Sequence, residues 1–118
     1  MTRHNQKIGA WGELMAEEHL RKLGHVIVAR NLRTPYGEID VITRDGDLTV
    51  FTEVKTLTSK GGFLPEEQVT TRKREHMVNC AEYYASEHGI DNWRIDVIAV
   101  EGKPGNPPTI THFENAIS

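Results

Sequence analysis

The chain has 118 residues, long enough to bury one core and too short to divide comfortably into two, so a single domain over residues 1–118 is expected. Its formal net charge of −3 argues against a constitutive, nonspecific nucleic-acid binder, because such proteins are usually basic. The single cysteine excludes an internal disulfide, and the absence of any long apolar run or signal-peptide pattern makes a cytoplasmic location, away from membranes, the expectation.

Residues 6–23 have the spacing of an amphipathic helix, with Gly24 placed to end it. Glu13 falls on the predicted buried stripe, so this stripe carries one acid toward the core. A buried carboxylate requires a partner, which makes Glu13 a candidate functional residue. The apolar members of the stripe are Ala16, Leu20 and Leu23.

The rest of the chain combines short strand patterns with one more helix. A second amphipathic helix is predicted over residues 66–87, and prolines before the last strand place that strand at a sheet edge. The order of helix, three strands, helix and two strands predicts an α/β protein with a mixed sheet of about five strands flanked by helices. The predicted strands are residues 25–31, 37–43, 48–57, 93–101 and 109–115. The predicted core stripe of the second helix is Met77, Cys80, Ala81 and Tyr84.

The second and third strands form a hairpin around RDGD at residues 44–47. The pair Asp45-Gly46 predicts a two-residue turn, which places Asp40 opposite Phe51 and makes Glu53 its diagonal neighbour. Side chains alternate with a period of two, so each face of the hairpin can be assigned. One face is predicted to carry Glu38, Asp40, Glu53 and Lys55, and the other Ile39, Val41, Val50 and Val54.

The charged face of this hairpin has the geometry of a cation site. A diagonal separation of ~7–8 Å between backbones lets Asp40 and Glu53 reach one cation held at ~2.0–2.6 Å. Lys55 follows on the same face, where it can hold a phosphate oxygen or an attacking water. The alternative is an ordinary solvated strand face; Phe51 among the charges and Glu13 on the helical stripe argue against it. A three-residue turn would instead separate Asp40 from Glu53.

Two motifs carry a family resemblance. GEID at 37–40, followed one hairpin later by EVK at 53–55, resembles the Asp…Glu-x-Lys signature of the restriction-endonuclease-like, PD-(D/E)xK, nucleases. With GAWGELMAEEHLRKLGHVIVARNLR before it and VTTRKREHMVNCAEYYA after it, the chain resembles the bacterial YraN family of predicted endonucleases, relatives of archaeal Holliday-junction resolvases. The resemblance extends from Gly9 to about Asn115 and implies the three-layer fold of those nucleases.

The resemblance also implies an activity. Glu13, Asp40 and Glu53 would form a metal site and Lys55 would be the catalytic lysine. The cation would be Mg²⁺ or Mn²⁺, which suits an all-oxygen site, and the reaction would be hydrolysis of phosphodiester bonds in DNA. By the same analogy, branched or structured DNA is the expected substrate, and a homodimer is expected because two strands must be cut.

Several further residues are candidates for DNA contact. The resemblance places Gln68 and Lys73 among polar positions facing such sites. Basic residues near them can line a groove for phosphates, although a solvated helix face is the alternative. Tyr36 or Phe63 can stack on an unpaired base, although core packing is the commoner role of such residues. The basic candidates are Arg72, Lys73 and Arg74, together with Arg30 and Arg33.

The tetrapeptide IDVI occurs twice, at 39–42 and 95–98, but only the first copy precedes a Glu-x-Lys motif. Asp96 in the second copy is therefore interpreted as structural, paired with Arg94 or a backbone donor. Two other functions remain open for the chain: a nucleic-acid-binding module that keeps the fold without turnover, and a protein-interaction domain that uses the hairpin. The intact acids argue against the module, because acids facing a polyanion require a cation.

Overall fold

A computed structural model describes residues 3–57 and 71–117. The predicted start of the second helix at Glu66, together with Phe63 and Gln68, lies outside these residues. Among the residues described, no helix is long and apolar enough to cross a membrane. The elements are α1 (Arg3–Lys22), β1 (Val26–Thr34), β2 (Gly37–Asp45), β3 (Leu48–Leu57), α2 (Thr71–His88), β4 (Trp93–Glu101) and β5 (Thr109–Ile117).

The five strands form one mixed sheet in the order β1-β2-β3-β4-β5. Strands β3 and β4 are parallel and are separated in sequence by α2, whereas the other neighbours are antiparallel. Two parallel neighbouring strands need a crossover connection, and α2 is part of the crossover from β3 to β4. The predicted α/β fold is confirmed, including the interior position of β4 and the edge position of β5.

The two helices cover opposite faces of the sheet, which gives three layers. Successive residues of a strand point to opposite faces, and Val41 and Ile42 accordingly enter different cores. The core under α1 contains Ala16, Leu20, Val41, Ile98 and Val100. The core under α2 contains Ile39, Ile42, Phe51, Cys80, Ala81, Tyr84, Ile95 and Ile117.

The predicted core stripes are largely confirmed. Met77 packs at the edge of the buried cluster under α2, as expected. The prediction for Leu23 is wrong, because its side chain is 52% exposed. The reason is that α1 ends at Lys22, and Gly24 then adopts a φ of 95° that turns the chain toward β1.

The predicted hairpin register is wrong by two residues. Asp45 pairs with Leu48, so the two loop residues are Gly46 and Asp47. Gly46 has a φ of 63°, and glycine is favoured at the first position of a type II′ loop for that reason. Phe51 therefore pairs with Ile42 and not with Asp40. A shift by two residues does not by itself move a side chain to the other face, because the side-chain period is also two.

The face alternation changes at Asp40. The β2–β3 register ends at the pair Val41 and Thr52, and Asn31 of β1 has a φ of 47° between the pairs that flank Asp40. As a consequence, Ile39 joins the core under α2, and its prediction on the opposite face is wrong. The sheet is therefore locally distorted where the candidate acid lies.

Asp96 is held by structural partners, as predicted. It is fully buried, and Arg94 donates hydrogen bonds to both of its carboxylate oxygens at 2.9 and 3.2 Å. His112 Nε2 lies 2.7 Å from Oδ2, and the backbone N–H of Asn115 donates to Oδ1 at 2.9 Å. Burial opposes the charge, but these hydrogen bonds outweigh it and lower the pKa of Asp96. The carboxylate therefore ties β4 to the edge strand β5.

Helix α1 approaches β3 closely at Gly12. A Cβ atom added to Gly12 would collide with the side chain of Thr56, whereas one added to Gly9 would meet nothing within 4 Å. Glycine is otherwise unfavourable inside a helix, by about 1 kcal/mol relative to alanine. The contact explains its presence and fixes the position of Glu13, the next residue.

We expect Gly12→Ala to lower the free energy of unfolding by about 1–3 kcal/mol, because overpacking costs more than the gain in helix propensity. The matched variant Gly9→Ala should raise it by about 0.5–1 kcal/mol. Urea unfolding of both variants and the wild type measures the difference. Stabilisation by both substitutions would contradict the close contact with Thr56.

Candidate active site

The candidate site lies where β2 and β3 separate. Asp40 and Glu53 are the residues just beyond the last registered pair, Val41 and Thr52. The observed register therefore places them opposite each other, in place of the diagonal relation predicted from the sequence. The backbone N–H of Val54 donates a hydrogen bond of 2.9 Å to Asp40 Oδ2, so the side chain satisfies a donor that the ladder has released.

Two lysines share the carboxylate of Glu53. Lys73 Nζ lies 2.9 Å from Glu53 Oε1, and Lys55 Nζ lies 3.4 Å from the same oxygen. Burial and a hydrogen bond with Lys73 lower the pKa of Lys55. Burial also opposes the charge of Lys73, but its hydrogen bonds with Lys55 and Glu53 outweigh burial and raise its pKa. The second lysine comes from α2, so the helix completes a cluster that the hairpin begins.

Glu13 reaches the same region from α1. Its side chain is partly buried and interacts with the side chain of Asn31. Burial raises the pKa of Glu13, and so does repulsion from Glu38, Glu17 and Glu53, while the interaction with Asn31 lowers it. The structure therefore brings Glu13 within electrostatic reach of Glu53.

Asp40 is the most strongly perturbed acid in this cluster. Burial is the largest cause, repulsion from Glu53 adds to it, and together they raise the pKa of Asp40 to about 7. The hydrogen bond from the Val54 backbone works in the opposite direction but does not compensate. Perturbed acids of this kind concentrate at functional sites, because burial and like charges are tolerated there for their chemistry.

The donor chemistry of the cluster fits a hard divalent cation. Asp40, Glu53 and Glu13 offer only oxygen ligands, and their mutual repulsion is what a bound cation would relieve. Within residues 3–57 and 71–117, however, no three His, Cys, Asp or Glu side chains are already grouped closely enough to hold a metal ion. The ammonium groups of Lys55 and Lys73 pair with Glu53 in this arrangement.

A cleft of about 280 Å³ opens beside the carboxylates. A larger cleft, of about 640 Å³, lies by the hairpin turn and the end of α2, at the other end of β2 and β3. We favour the smaller cleft as the site, because Asp40 and Lys73, whose pKa values are both raised, line it together with Glu53. Its lining includes Tyr36, Glu38, Asp40, Glu53, Lys73 and His76.

The basic residues proposed to contact DNA differ in their surroundings. Arg72 and Arg74 are exposed on the first turn of α2 as described, next to Lys73. The side chain of Arg33 is 90% exposed, and its Nε lies 3.7 Å from Glu38. Arg30 instead donates from Nε to both carboxylate oxygens of Glu17 at 2.9 Å. Gln68 lies outside the described residues.

Sequence reasoning missed Glu17, the buried acid of α1. Its residue is only 3% exposed, and Arg30 and Arg21 both pair with its side chain. The signal was available, because positions 13, 16, 17 and 20 have the full i, i+3, i+4, i+7 spacing of one helix face. His76 was also missed; it lies one helical turn after Lys73 and was not assigned to any surface.

The raised pKa of Asp40 has a consequence for stability. The folded protein binds this proton more tightly than the unfolded chain, so the stability from protonated Asp40 is complete below about pH 4 and is lost as the pH rises through 7. We expect Asp40→Asn, which keeps an acceptor for Val54, to raise the free energy of unfolding at pH 8 by about 1–3 kcal/mol.

The gain in the free energy of unfolding of Asp40→Asn over the wild type should be small near pH 4, increase up to pH 7 and level off above it. Urea unfolding of the wild type and the variant across pH 4–8 measures it. A difference between the two proteins that does not change with pH would contradict the raised pKa.

Comparison with known proteins supports the sequence resemblance. Residues 12–100 match the model of "Uncharacterised protein family UPF0102". A UPF0102 protein of Dehalococcoides mccartyi is 39% identical over 86% of this chain and 85% of its own length. Another, from Nocardia farcinica, is 42% identical over 92% of this chain and 87% of its own.

Among solved structures, Pyrococcus furiosus SfsA in complex with Ca²⁺ is similar over 97% of this chain, with a TM-score of 0.41 and 15% identity. This chain covers 65% of that protein, less than two thirds of its length. The family match covers α2, strands β1 to β4 except the last residue of β4, and the second half of α1, and the relatives match over most of both chains. The chain therefore belongs to the uncharacterised protein family UPF0102, the YraN family that its motifs resemble.

Proposed function

We propose that this protein is a divalent-metal-dependent endonuclease that hydrolyses phosphodiester bonds in DNA. The observation that carries the proposal is the partly buried group of Asp40, Glu53 and Lys55, with Lys73 joining it from α2. Acids and lysines that share one cleft are the groups needed to hold a cation and a phosphate together. An ordinary solvated strand face is the alternative. It does not explain why Asp40 is partly buried or why Lys73 of α2 pairs with Glu53.

Asp40, Glu53 and Glu13 would hold Mg²⁺ or Mn²⁺. When bound, such a cation stabilises negative charge on a phosphate and lowers the pKa of an attacking water. Lys55 and Lys73 carry the cationic groups nearest to Glu53, so their ammonium groups would bind non-bridging phosphate oxygens once substrate enters. The hydrogen bond from the Val54 N–H would hold the Asp40 carboxylate in a fixed orientation while the cation and the phosphate are bound.

The DNA backbone would follow the basic side chains near the cleft. Arg72 and Arg74 are exposed at the described start of α2, and Arg33 is exposed near Glu38. They would contact phosphates, which positions DNA without reading its sequence. Since the overall charge is negative, this binding would depend on local charge and fall steeply with salt. The proposal includes branched DNA as the substrate, a homodimer as the oligomeric state and the cytoplasm as the location.

One observation favours a second function, a nucleic-acid-binding module without turnover. Glu53 is neutralised by Lys55 and Lys73, so the cluster is partly satisfied without a cation. The two functions differ in their response to metal. The nuclease requires the carboxylates to bind Mg²⁺ or Mn²⁺, whereas the module requires only the basic residues.

We expect Mn²⁺ or Mg²⁺ to raise the unfolding midpoint of the wild type and to support cleavage of labelled DNA. Asp40→Asn should abolish the metal-dependent shift, because a ligand is lost, and should lower cleavage by at least about 100-fold. Lys55→Met should lower cleavage similarly while leaving the metal-dependent shift in place. Asp47→Asn, in the hairpin loop away from the cleft, is the matched control and should behave as the wild type.

Thermal unfolding and cleavage of single-stranded, duplex, flapped and four-way-junction DNA measure these outcomes. Metal-independent DNA binding with no cleavage of any substrate would favour the binding module. Equal cleavage by the wild type and Asp40→Asn would remove the carboxylate cluster from the mechanism.

A further inference from the structure

Two tyrosines form an exposed pair at the edge of the carboxylate cleft. Tyr36, in the β1–β2 turn, lines this cleft and is 50% exposed; Tyr83, on α2, is 37% exposed. Their ring centroids lie 6.2 Å apart with an interplanar angle of 64°, an edge-to-face contact. We call these two rings the tyrosine platform. Both rings are exposed beside the charged residues of the cleft, so they are accessible to a ligand.

The platform is held in place by the turn beneath it. The Tyr36 backbone N–H donates to Thr34 Oγ1 at 3.0 Å, and Thr34 Oγ1 donates to the Gly37 carbonyl at 2.9 Å. The same hydroxyl lies 3.2 Å from Cys80 Sγ, a buried atom of α2. These contacts tie the turn that carries Tyr36 to the helix that carries Tyr83, so the backbones of both residues are held beside the cleft. A preformed surface loses little entropy when it binds.

The chemistry around the platform selects the ligand. Tyr36 and the Lys73 ammonium line the same cleft, which has a volume of about 280 Å³ and also contains Asp40 and Glu53. A flat aromatic ligand attached to a phosphate matches this combination, because the ring can stack and the phosphate can bind the lysine. A base inside a continuous duplex presents no free face, since both of its faces are already stacked.

We propose that the tyrosine platform takes an unpaired nucleobase and so selects DNA with an unpaired nucleotide next to the phosphate that enters the cleft. This inference rests on the proposed nuclease function and specifies its substrate class. Stacking needs no particular base, because every base has a π face, so the selection is for structure and not for sequence. A protein partner is the alternative occupant.

The test uses two duplexes of one sequence, one fully paired and one with a single unpaired 2-aminopurine nucleotide. Binding is measured with Ca²⁺ replacing Mg²⁺ to suppress cleavage, and cleavage is measured with Mg²⁺. We expect the wild type to bind and cleave the second duplex on the order of 10-fold better, and to quench 2-aminopurine fluorescence through stacking. Tyr36→Leu should reduce this preference on the order of 10-fold and abolish the quenching.

Tyr36→Phe is the matched control, because it keeps the ring and removes only the hydroxyl. It should retain both the preference and the quenching, and unfolding midpoints confirm that the variants fold alike. An unchanged preference in Tyr36→Leu, or an equal loss on both duplexes, would overturn the platform. A loss in Tyr36→Phe as large as that in Tyr36→Leu would also overturn it, since the hydroxyl and not the ring would then be responsible.

The outcomes separate this inference from the nuclease proposal. Preference and quenching without any cleavage would leave the platform standing and reject the nuclease. Metal-dependent cleavage of both duplexes at equal rates would do the reverse. Failure to bind either duplex would reject both and favour a protein as the occupant of the exposed rings.

Discussion

The hydrogen bond from the Val54 backbone N–H to Asp40 is the interaction on which the cluster depends. At this point β2 and β3 cease to pair, and a released backbone donor would be costly without a partner. The carboxylate supplies that partner and is thereby drawn between the two strands. Asn31, at positive φ on the neighbouring strand, accommodates the distortion. Strand separation, acid orientation and the cleft are therefore one structural feature.

The two copies of IDVI show how surroundings, and not residue type, decide the role of an aspartate. Asp96 is surrounded by donors from Arg94, His112 and the Asn115 backbone, which lower its pKa despite complete burial. Asp40 is surrounded by other acids, which together with burial raise its pKa. One carboxylate is satisfied and joins two strands. The other carries unrelieved repulsion, which a cation or a proton would relieve.

Both helices contribute to the electrostatics of the cleft from opposite faces of the sheet. Close packing at Gly12 sets the depth of α1 and with it the reach of Glu13. From the other side, α2 adds Lys73, whose ammonium lies closer to Glu53 than that of Lys55 does. Charge in the cleft is therefore balanced between elements that are distant in the chain. Any ligand that binds Glu53 must compete with these two lysines.

The sequence by itself determined the order of the elements, their apolar stripes and the placing of Asp40 and Glu53 on one face. These features follow from side-chain period and turn chemistry, which are local. Only the tertiary structure decided the hairpin register, because both possible two-residue loops contain Gly46. It also decided that Lys73 meets Glu53 and that Arg30 pairs with Glu17. Those contacts join residues that are separated in the chain. The local sequence pattern does not indicate which of the distant residues will pack against a given side chain.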